Sequence, residues 1–225
     1  AGGWSSKRLI RSMMLSRVYQ LSSVGNATNQ AKDGGNEFHW RMNMRRLELE
    51  PIRDSLLFVG GSLKSGPPPG LGVAGNGGGG KYGRTRALLD IETPHRTIYL
   101  PVLRSLLPEF YGVFDFPDPA QIQGRRDTTT VPTQGLFMMN SQFVYRSAAT
   151  AADRLLRDNR LNEMGRIRLA YLRLLGRQPA DSEIAVARSF MRGLKPPSNT
   201  REPEFYRWTA FVQSLMANGE FRYVL

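Results

Sequence analysis

The sequence predicts a mainly α protein: an irregular helical domain with long loops, at most a short β element, and a C-terminal helical bundle. Apolar residues recur every three or four positions in several separate stretches, which is the spacing of an amphipathic helix. Proline- and glycine-rich stretches separate them and are typical of turns and loops. We therefore expect a single domain at 1–225, with a Gly/Pro-rich loop at 60–83 and a C-terminal helical subdomain at 132–225.

Four elements are predicted in the N-terminal half. They are an amphipathic helix at 4–21, a loop at 22–36, a strand or extended segment at 38–42, and a helix within 45–63. The first helix carries an apolar stripe that needs a partner. In the last one, Pro51 cannot donate to the carbonyl of Leu47, so we expect that helix to start near Glu50.

The C-terminal half is predicted to begin irregularly and to end in helices. The motif FDFPDP at Phe114–Pro119 predicts a rigid extended hook, because each proline lacks an N–H and biases the preceding residue toward extended backbone. With a strand-like period of two, Phe114 and Phe116 point to one side and Asp115 to the other. The remaining predicted elements are an edge strand at 94–101, a helix at 102–110, a long helix at 132–158 whose first half is buried almost all round, and helices at 162–175, 179–194 and 203–218.

Composition excludes several classes of site. The chain has no cysteine, so it contains no disulfide, no thiolate zinc site and no covalent c-type haem attachment. The sequence contains no stretch of 18 consecutive apolar residues, so no membrane span is predicted. The first residues do not have the pattern of an export signal. The spacing of the histidines and carboxylates in the sequence is not typical of a metal site. We therefore predict no metal site in this chain.

The chain is strongly basic, with 31 lysine and arginine residues against 19 acidic ones and a net charge of +12. A basic surface of this kind fits nucleic acid or an acidic protein partner. Arginines of this kind are also expected on the solvent-exposed faces of helices. Because this explanation needs no ligand, we consider nucleic-acid binding the less favoured interpretation. The arginines that would carry nucleic-acid binding are Arg154, Arg157, Arg166, Arg173 and Arg177.

The candidate site residues form two sets. The first is a polar cluster, which we predict to fix the arrangement of the elements through ion pairs rather than to catalyse a reaction; it comprises Arg45, Arg46, Glu50, Arg53, Asp54, Arg96, Arg125, Arg126 and Thr129. The second comprises His95, Asp115 and Asp118, the only catalytic candidates. Aspartates in turn-rich segments more often cap turns or pair with arginines, which argues against catalysis.

Six motifs in order resemble one known family. They are WSSKRLIRSMMLS, RRLELEPIRDSLL, HRTIYLPVLR, FDFPDP, RRDTTTVPTQGLFMMNS and LMANGEFRYVL. Together they are similar to the planctomycete-specific domain of unknown function that lies C-terminal to planctomycete cytochrome c-type domains. The resemblance implies an extracytoplasmic (periplasmic) location and a cytochrome c-type domain as partner, in the same or a companion chain. It also implies that this chain is an N-terminally truncated fragment.

Three functions compete at this point. The leading hypothesis is a non-catalytic structural or docking module without a cofactor of its own, any haem lying in a neighbouring domain of the parent protein. The first alternative is a hydrolase acting on a carbohydrate or other polymer through His95, Asp115, Asp118 and Arg125, since catalytic groups concentrate in loops. The second alternative is nucleic-acid binding through the arginine-rich helices.

Overall fold

The computed structural model describes residues 3–68, 92–102 and 107–224. Most of the predicted loop at 60–83 and part of the predicted helix at 102–110 lie outside these residues. Within them the chain is mainly α, as predicted, with nine α-helices, one two-stranded sheet and two 3₁₀ turns. The α-helices are α1 Ser6–Met14, α2 Ala27–Lys32, α3 Leu49–Gly60, α4 Glu109–Val113, α5 Pro132–Asn140, α6 Gln142–Leu156, α7 Glu163–Leu175, α8 Asp181–Gly193 and α9 Pro203–Ala217. The strands are β1 Arg45–Arg46 and β2 Tyr223–Val224, and the 3₁₀ turns are Thr97–Tyr99 and Gly219–Arg222.

The chain divides into two compact units, one of Ala1–Arg46 with Tyr223–Leu225 and one of Leu47–Arg222. In the first unit β1 pairs antiparallel with β2, Arg45 opposite Val224 and Arg46 opposite Tyr223. Helix α1 starts at a cap in which the Ser5 hydroxyl accepts from the backbone N–H of Arg8. None of its residues is buried.

Three predictions in the first unit were wrong in detail. The helix predicted at 4–21 ends at Met14, where the Ser16 hydroxyl donates to the Met13 carbonyl at 2.7 Å and so competes with continued helix. The predicted loop contains α2, a helix of six residues too short to show an apolar period. No strand forms at 38–42, because His39 adopts a φ of 51° in the left-handed region, which an extended strand does not allow.

Helix α6 is the centre of the second unit and packs between α3 and α9. Three of its fully buried side chains, Val144, Ala148 and Ala152, are small, so the neighbouring helices can approach it closely. A Cβ on Gly60 of α3 would lie 3.4 Å from the carbonyl oxygen of Ser147, which shows how near the two backbones come. Helices α7 and α8 pack with α9 and complete the predicted C-terminal bundle.

The helix predicted at 132–158 is two helices, α5 and α6, separated at Ser141, whose ψ is 129°. The carbonyl of Met139 accepts from the Gln213 side chain of α9 at 2.7 Å, so a carbonyl at the end of α5 is satisfied without a continuing helix. The prediction that the first half is buried on nearly all sides was also wrong, since Leu136 is 51% and Met139 56% exposed.

The segment 94–101 is not a strand. It holds the 3₁₀ turn Thr97–Tyr99 and only an isolated parallel bridge between Lys64 and His95. The reason is a tertiary contact: the carboxylate of Asp54 accepts from the backbone N–H of Thr97 at 2.8 Å and from its hydroxyl at 2.7 Å. These bonds fix the turn and override the local strand pattern.

The hook carries one buried ring, Phe114, and one half-buried ring, Phe116, but the predicted alternation of its side chains was wrong. Phe114 is 1% exposed and packs 4.9 Å from the Phe110 ring, while Phe116 packs 4.8 Å from Tyr111. Asp115 between them has a φ of 59°, in the left-handed region that aspartate tolerates better than most residues. The chain therefore turns at Asp115, and the two rings meet different partners.

Candidate functional site

Arg53 is a fully buried charged residue of the second unit. It lies on the buried side of α3 and its side chain is fully inaccessible to solvent. Its guanidinium donates to the carbonyl of Thr93, to the carbonyl of His95 at 3.0 Å and to the hydroxyl of Thr97 at 3.1 Å. A buried guanidinium is tolerated only when it is bonded in this way, so Arg53 ties the segment at 93–97 to α3.

Asp54, the next residue, binds the same segment from its more exposed side. Besides its two bonds to Thr97, it accepts from the Nε of Arg96 at 3.4 Å and lies 3.8 Å from Nη1 of Arg53. One turn of α3 therefore presents a cation and an anion to a loop more than 40 residues away in sequence.

Glu50 and Arg126 form the second part of the site. Both Nη atoms of Arg126 donate to the two carboxylate oxygens of Glu50 at 2.8 Å, and Nη1 also donates to Glu48 at 2.9 Å. The guanidinium lies 5.4 Å from the centre of the Phe116 ring. Burial alone would raise the pKa of Glu50, but the Arg126 hydrogen bonds hold that pKa below its usual value. The pair fastens the segment after the hook to the start of α3.

Asp115 of the hook bonds to Thr129, a residue beyond the end of the hook. Its carboxylate accepts from the backbone N–H of Thr129 at 2.9 Å and from the Thr129 hydroxyl at 2.8 Å. Thr129 in turn supplies its carbonyl to the buried side chain of Gln134 at 3.2 Å. The hook is thus linked to the first turns of α5.

A groove of about 800 Å³ lies beside these bonds. One wall is α3 and the other is the segment at 96–102, while α4 contributes Tyr111 and the hook contributes Phe116. The polar side chains along it are Glu48, Glu50, Asp54, Ser55, Ser65, Arg96 and Thr97. Volumes of 300–1,000 Å³ are usual for ligand sites in proteins, so the groove is the candidate binding site of this unit.

The predicted polar cluster is thus placed in separate groups. Arg53, Asp54 and Arg96 meet around Thr97, Glu50 meets Arg126, and Thr129 meets Asp115. Arg45 and Arg46 belong to β1 in the other unit, and Arg125 is exposed. Thr97 and Tyr111 are site residues that sequence reasoning missed; neither stands in a pattern that distinguishes it from a packing residue.

The catalytic candidates each bond to their own surroundings. The Nδ1 of His95 lies 3.0 Å from the carbonyl oxygen of Gly66, and Asp118 accepts from the N–H of Ala120 at 2.9 Å, as in an Asx turn. Asp115 is bonded to Thr129. Over the part of the chain that the structure describes, no group of three histidine or acidic side chains is arranged to hold a metal ion.

The arginines proposed for nucleic-acid binding are partly used within the chain. Arg177 donates to both Glu183 and Glu220, Arg157 pairs with Asp153 at 2.8 Å, and Arg166 donates to the Leu156 carbonyl at 3.2 Å. Arg154 and Arg173 are exposed on their helices.

Fold and site together define a mainly α domain whose polar residues join distant segments to one helix. Among the described helices, none combines the length and apolar character needed to cross a membrane. The chain belongs to the family PSD1, protein of unknown function (DUF1553), whose family model matches residues 1–191. This confirms the planctomycete domain of unknown function that the six motifs indicated. No curated protein and no solved structure matched the chain.

Proposed function

We propose that the chain is a non-catalytic structural and docking module of a larger extracytoplasmic protein, placed beside a cytochrome c-type domain. The observation that supports this proposal is that charged side chains able to act in catalysis bond instead to other parts of the same chain. Arg53, Asp54 and Asp115 each bond to backbone groups of the same chain, which is how architectural residues are used. Catalytic groups need atoms left available to a substrate within hydrogen-bond reach.

The proposed context rests on the family resemblance. A domain without cysteine does not attach c-type haem itself, so haem in the assembly would belong to the neighbouring domain. The net charge of +12 adds attraction toward an acidic face of that partner, and such attraction weakens with salt.

The natural full-length protein tests this proposal. We expect its purified form to show a haem absorption band and to fractionate outside the cytoplasm. We also expect the separately expressed haem-bearing part to bind this 225-residue chain in calorimetry, more weakly at 0.5 M than at 0.05 M salt. A cytochrome c from an unrelated protein is the control partner. A full-length protein that lacks haem and stays in the cytoplasm would refute the context.

A further inference from the structure

The groove contains a polar group that the fold does not use. Tyr111 is 4% exposed and lines the groove, yet its hydroxyl makes no hydrogen bond to the described residues. Its ring packs on Phe116, which orients the phenol. The hydroxyl oxygen is not among the polar atoms that are sealed from solvent without a partner, so it is open to the water of the groove, which can bond it. A hydroxyl that makes no bond within the described fold and faces a groove is available to a ligand, which can take the place of that water.

Charged side chains lie close enough to the Tyr111 phenol to act on it. Burial raises the pKa of Tyr111, and the charges that act on its phenol are those of Arg53, Glu50 and Asp54. Glu50 and Asp54 line the same groove. The phenol and these two carboxylates therefore belong to one groove.

The charges around the groove balance. Each of its three carboxylates lies within 4 Å of a guanidinium, with Glu48 and Glu50 against Arg126 and Asp54 against Arg96 and Arg53. Three acids and three arginines leave no net charge, although the chain as a whole carries +12. A charged ligand gains little from such a site, whereas a neutral ligand rich in hydroxyls meets both donors and acceptors.

The apolar part of the groove includes two exposed side chains. The Phe58 ring is 70% exposed and Ile98 74% exposed, and both line the groove. The flat C–H face of a sugar ring packs well on an exposed aromatic ring. An extended peptide would instead need a free backbone edge, but the N–H of Lys64 already donates to the Pro94 carbonyl at 2.7 Å.

We propose that this groove binds a neutral oligosaccharide, with the Tyr111 hydroxyl bonding a sugar hydroxyl and Phe58 supporting a sugar face. This goes beyond the proposed structural and docking role and does not depend on it. It involves binding only, with no reaction at the site.

The test titrates the 225-residue chain with cellotetraose, xylotetraose, maltotetraose and chitotetraose, followed by calorimetry and by line broadening of the sugar NMR signals. We expect saturable binding of at least one of them in the millimolar range or tighter. Tyr111→Phe should weaken that binding about fivefold, the effect of one hydrogen bond. Phe58→Ala should weaken it about tenfold by removing the aromatic support.

Matched controls separate binding from folding. Tyr145→Phe and Phe38→Ala remove the same groups from exposed positions that do not line the groove and should bind as the parent chain does. Because the Tyr111 hydroxyl makes no bond in the described fold, Tyr111→Phe should melt within about 2 °C of the parent chain. The proposal is overturned if none of the four sugars binds at 20 mM, if Tyr111→Phe and Phe58→Ala both bind unchanged, or if only an uncharged hexapeptide binds. Those results leave the haem test untouched.

Discussion

Replacing Arg53 by methionine tests the claim that the site is architectural. Methionine has a similar volume and flexibility but no hydrogen-bond donor. The substitution leaves the carbonyls of Thr93 and His95 and the hydroxyl of Thr97 without their donor. These groups lie in a part of the protein where water does not replace the guanidinium, because the Arg53 side chain is fully buried.

The expected loss follows from the number of bonds. Each buried acceptor that loses a charged donor costs about 1–1.5 kcal/mol, so three of them cost about 3–5 kcal/mol in the free energy of unfolding. That is a large part of the roughly 5–15 kcal/mol that stabilises a domain. With a urea m-value of about 2–3 kcal/mol/M, the midpoint should fall by roughly 1.5 M. Urea unfolding followed by circular dichroism measures it.

Two further variants make the result specific. Arg53→Lys keeps the charge but not the planar fork, so we expect about half the loss. Arg125→Met makes the same change at an exposed arginine and should change stability by less than about 0.5 kcal/mol. If Arg53→Met loses less than about 1 kcal/mol, the buried guanidinium does not hold the 93–97 segment and the architectural interpretation is wrong.

Three other predictions follow from single contacts. Hydrogen bonds from Arg177 lower the pKa of Glu183 from 4.5 to about 2. The stabilisation of the fold by this ion pair is therefore present above pH 4.5 and is lost as the pH falls from 4.5 toward 2. Glu183→Gln should make the free energy of unfolding depend less on pH in this range and should cost about 1 kcal/mol at pH 7, as measured by urea unfolding. Asp115→Ala removes both bonds to Thr129 and a residue suited to positive φ, and should cost about 2 kcal/mol by the same measurement. Gly176→Ala places a side chain at a φ of 71° and should lower stability by about 1 kcal/mol, seen as a lower melting temperature.

Each of these has a counterpart elsewhere in the chain. Glu204→Gln alters a carboxylate that is 70% exposed and 3.9 Å from its arginine, and should leave the acid-side loss unchanged. Asp118→Ala removes a single turn bond and should cost less than Asp115→Ala. Gly193→Ala, at the end of α8 with open space around its Cβ position, should be neutral or stabilising. A counterpart that matches or exceeds its partner in effect would contradict the corresponding prediction.

The C-terminal helices were predictable because their signals are local. In α7 the stripe Ile167, Ala170, Tyr171 and Leu174 is buried as its spacing indicated. The N-cap Asn162 accepts from the Gly165 N–H, and Gly176 closes the helix in the left-handed region. When the N-cap, the apolar face and the C-terminal glycine of a helix all lie in one short stretch of sequence, the helix can be predicted without knowledge of its tertiary contacts.

The site was less predictable because its signals are not local. Residues 94–101 have a strand-like composition, but their conformation is set by Asp54, 43 residues earlier. The split at Ser141 depends likewise on Gln213, 74 residues beyond Met139. Sequence singled out Glu50, Arg53, Asp54 and Arg126 as polar residues able to pair, but their actual partners follow only from the folded chain.

Residues that stabilise the fold and residues that line the groove lie on the same turn of α3. Arg53 faces inward to the backbone of 93–97, whereas Glu50 and Asp54 bond distant residues and line the groove. Changing either carboxylate would therefore alter the groove and the fold together, and a loss of binding would not distinguish the two. Tyr111 and Phe58 differ from them, because the Tyr111 hydroxyl and the exposed face of Phe58 make no bond that the described fold needs. A ligand at this site is thus detectable through these two side chains alone, which is why they carry the decisive substitutions.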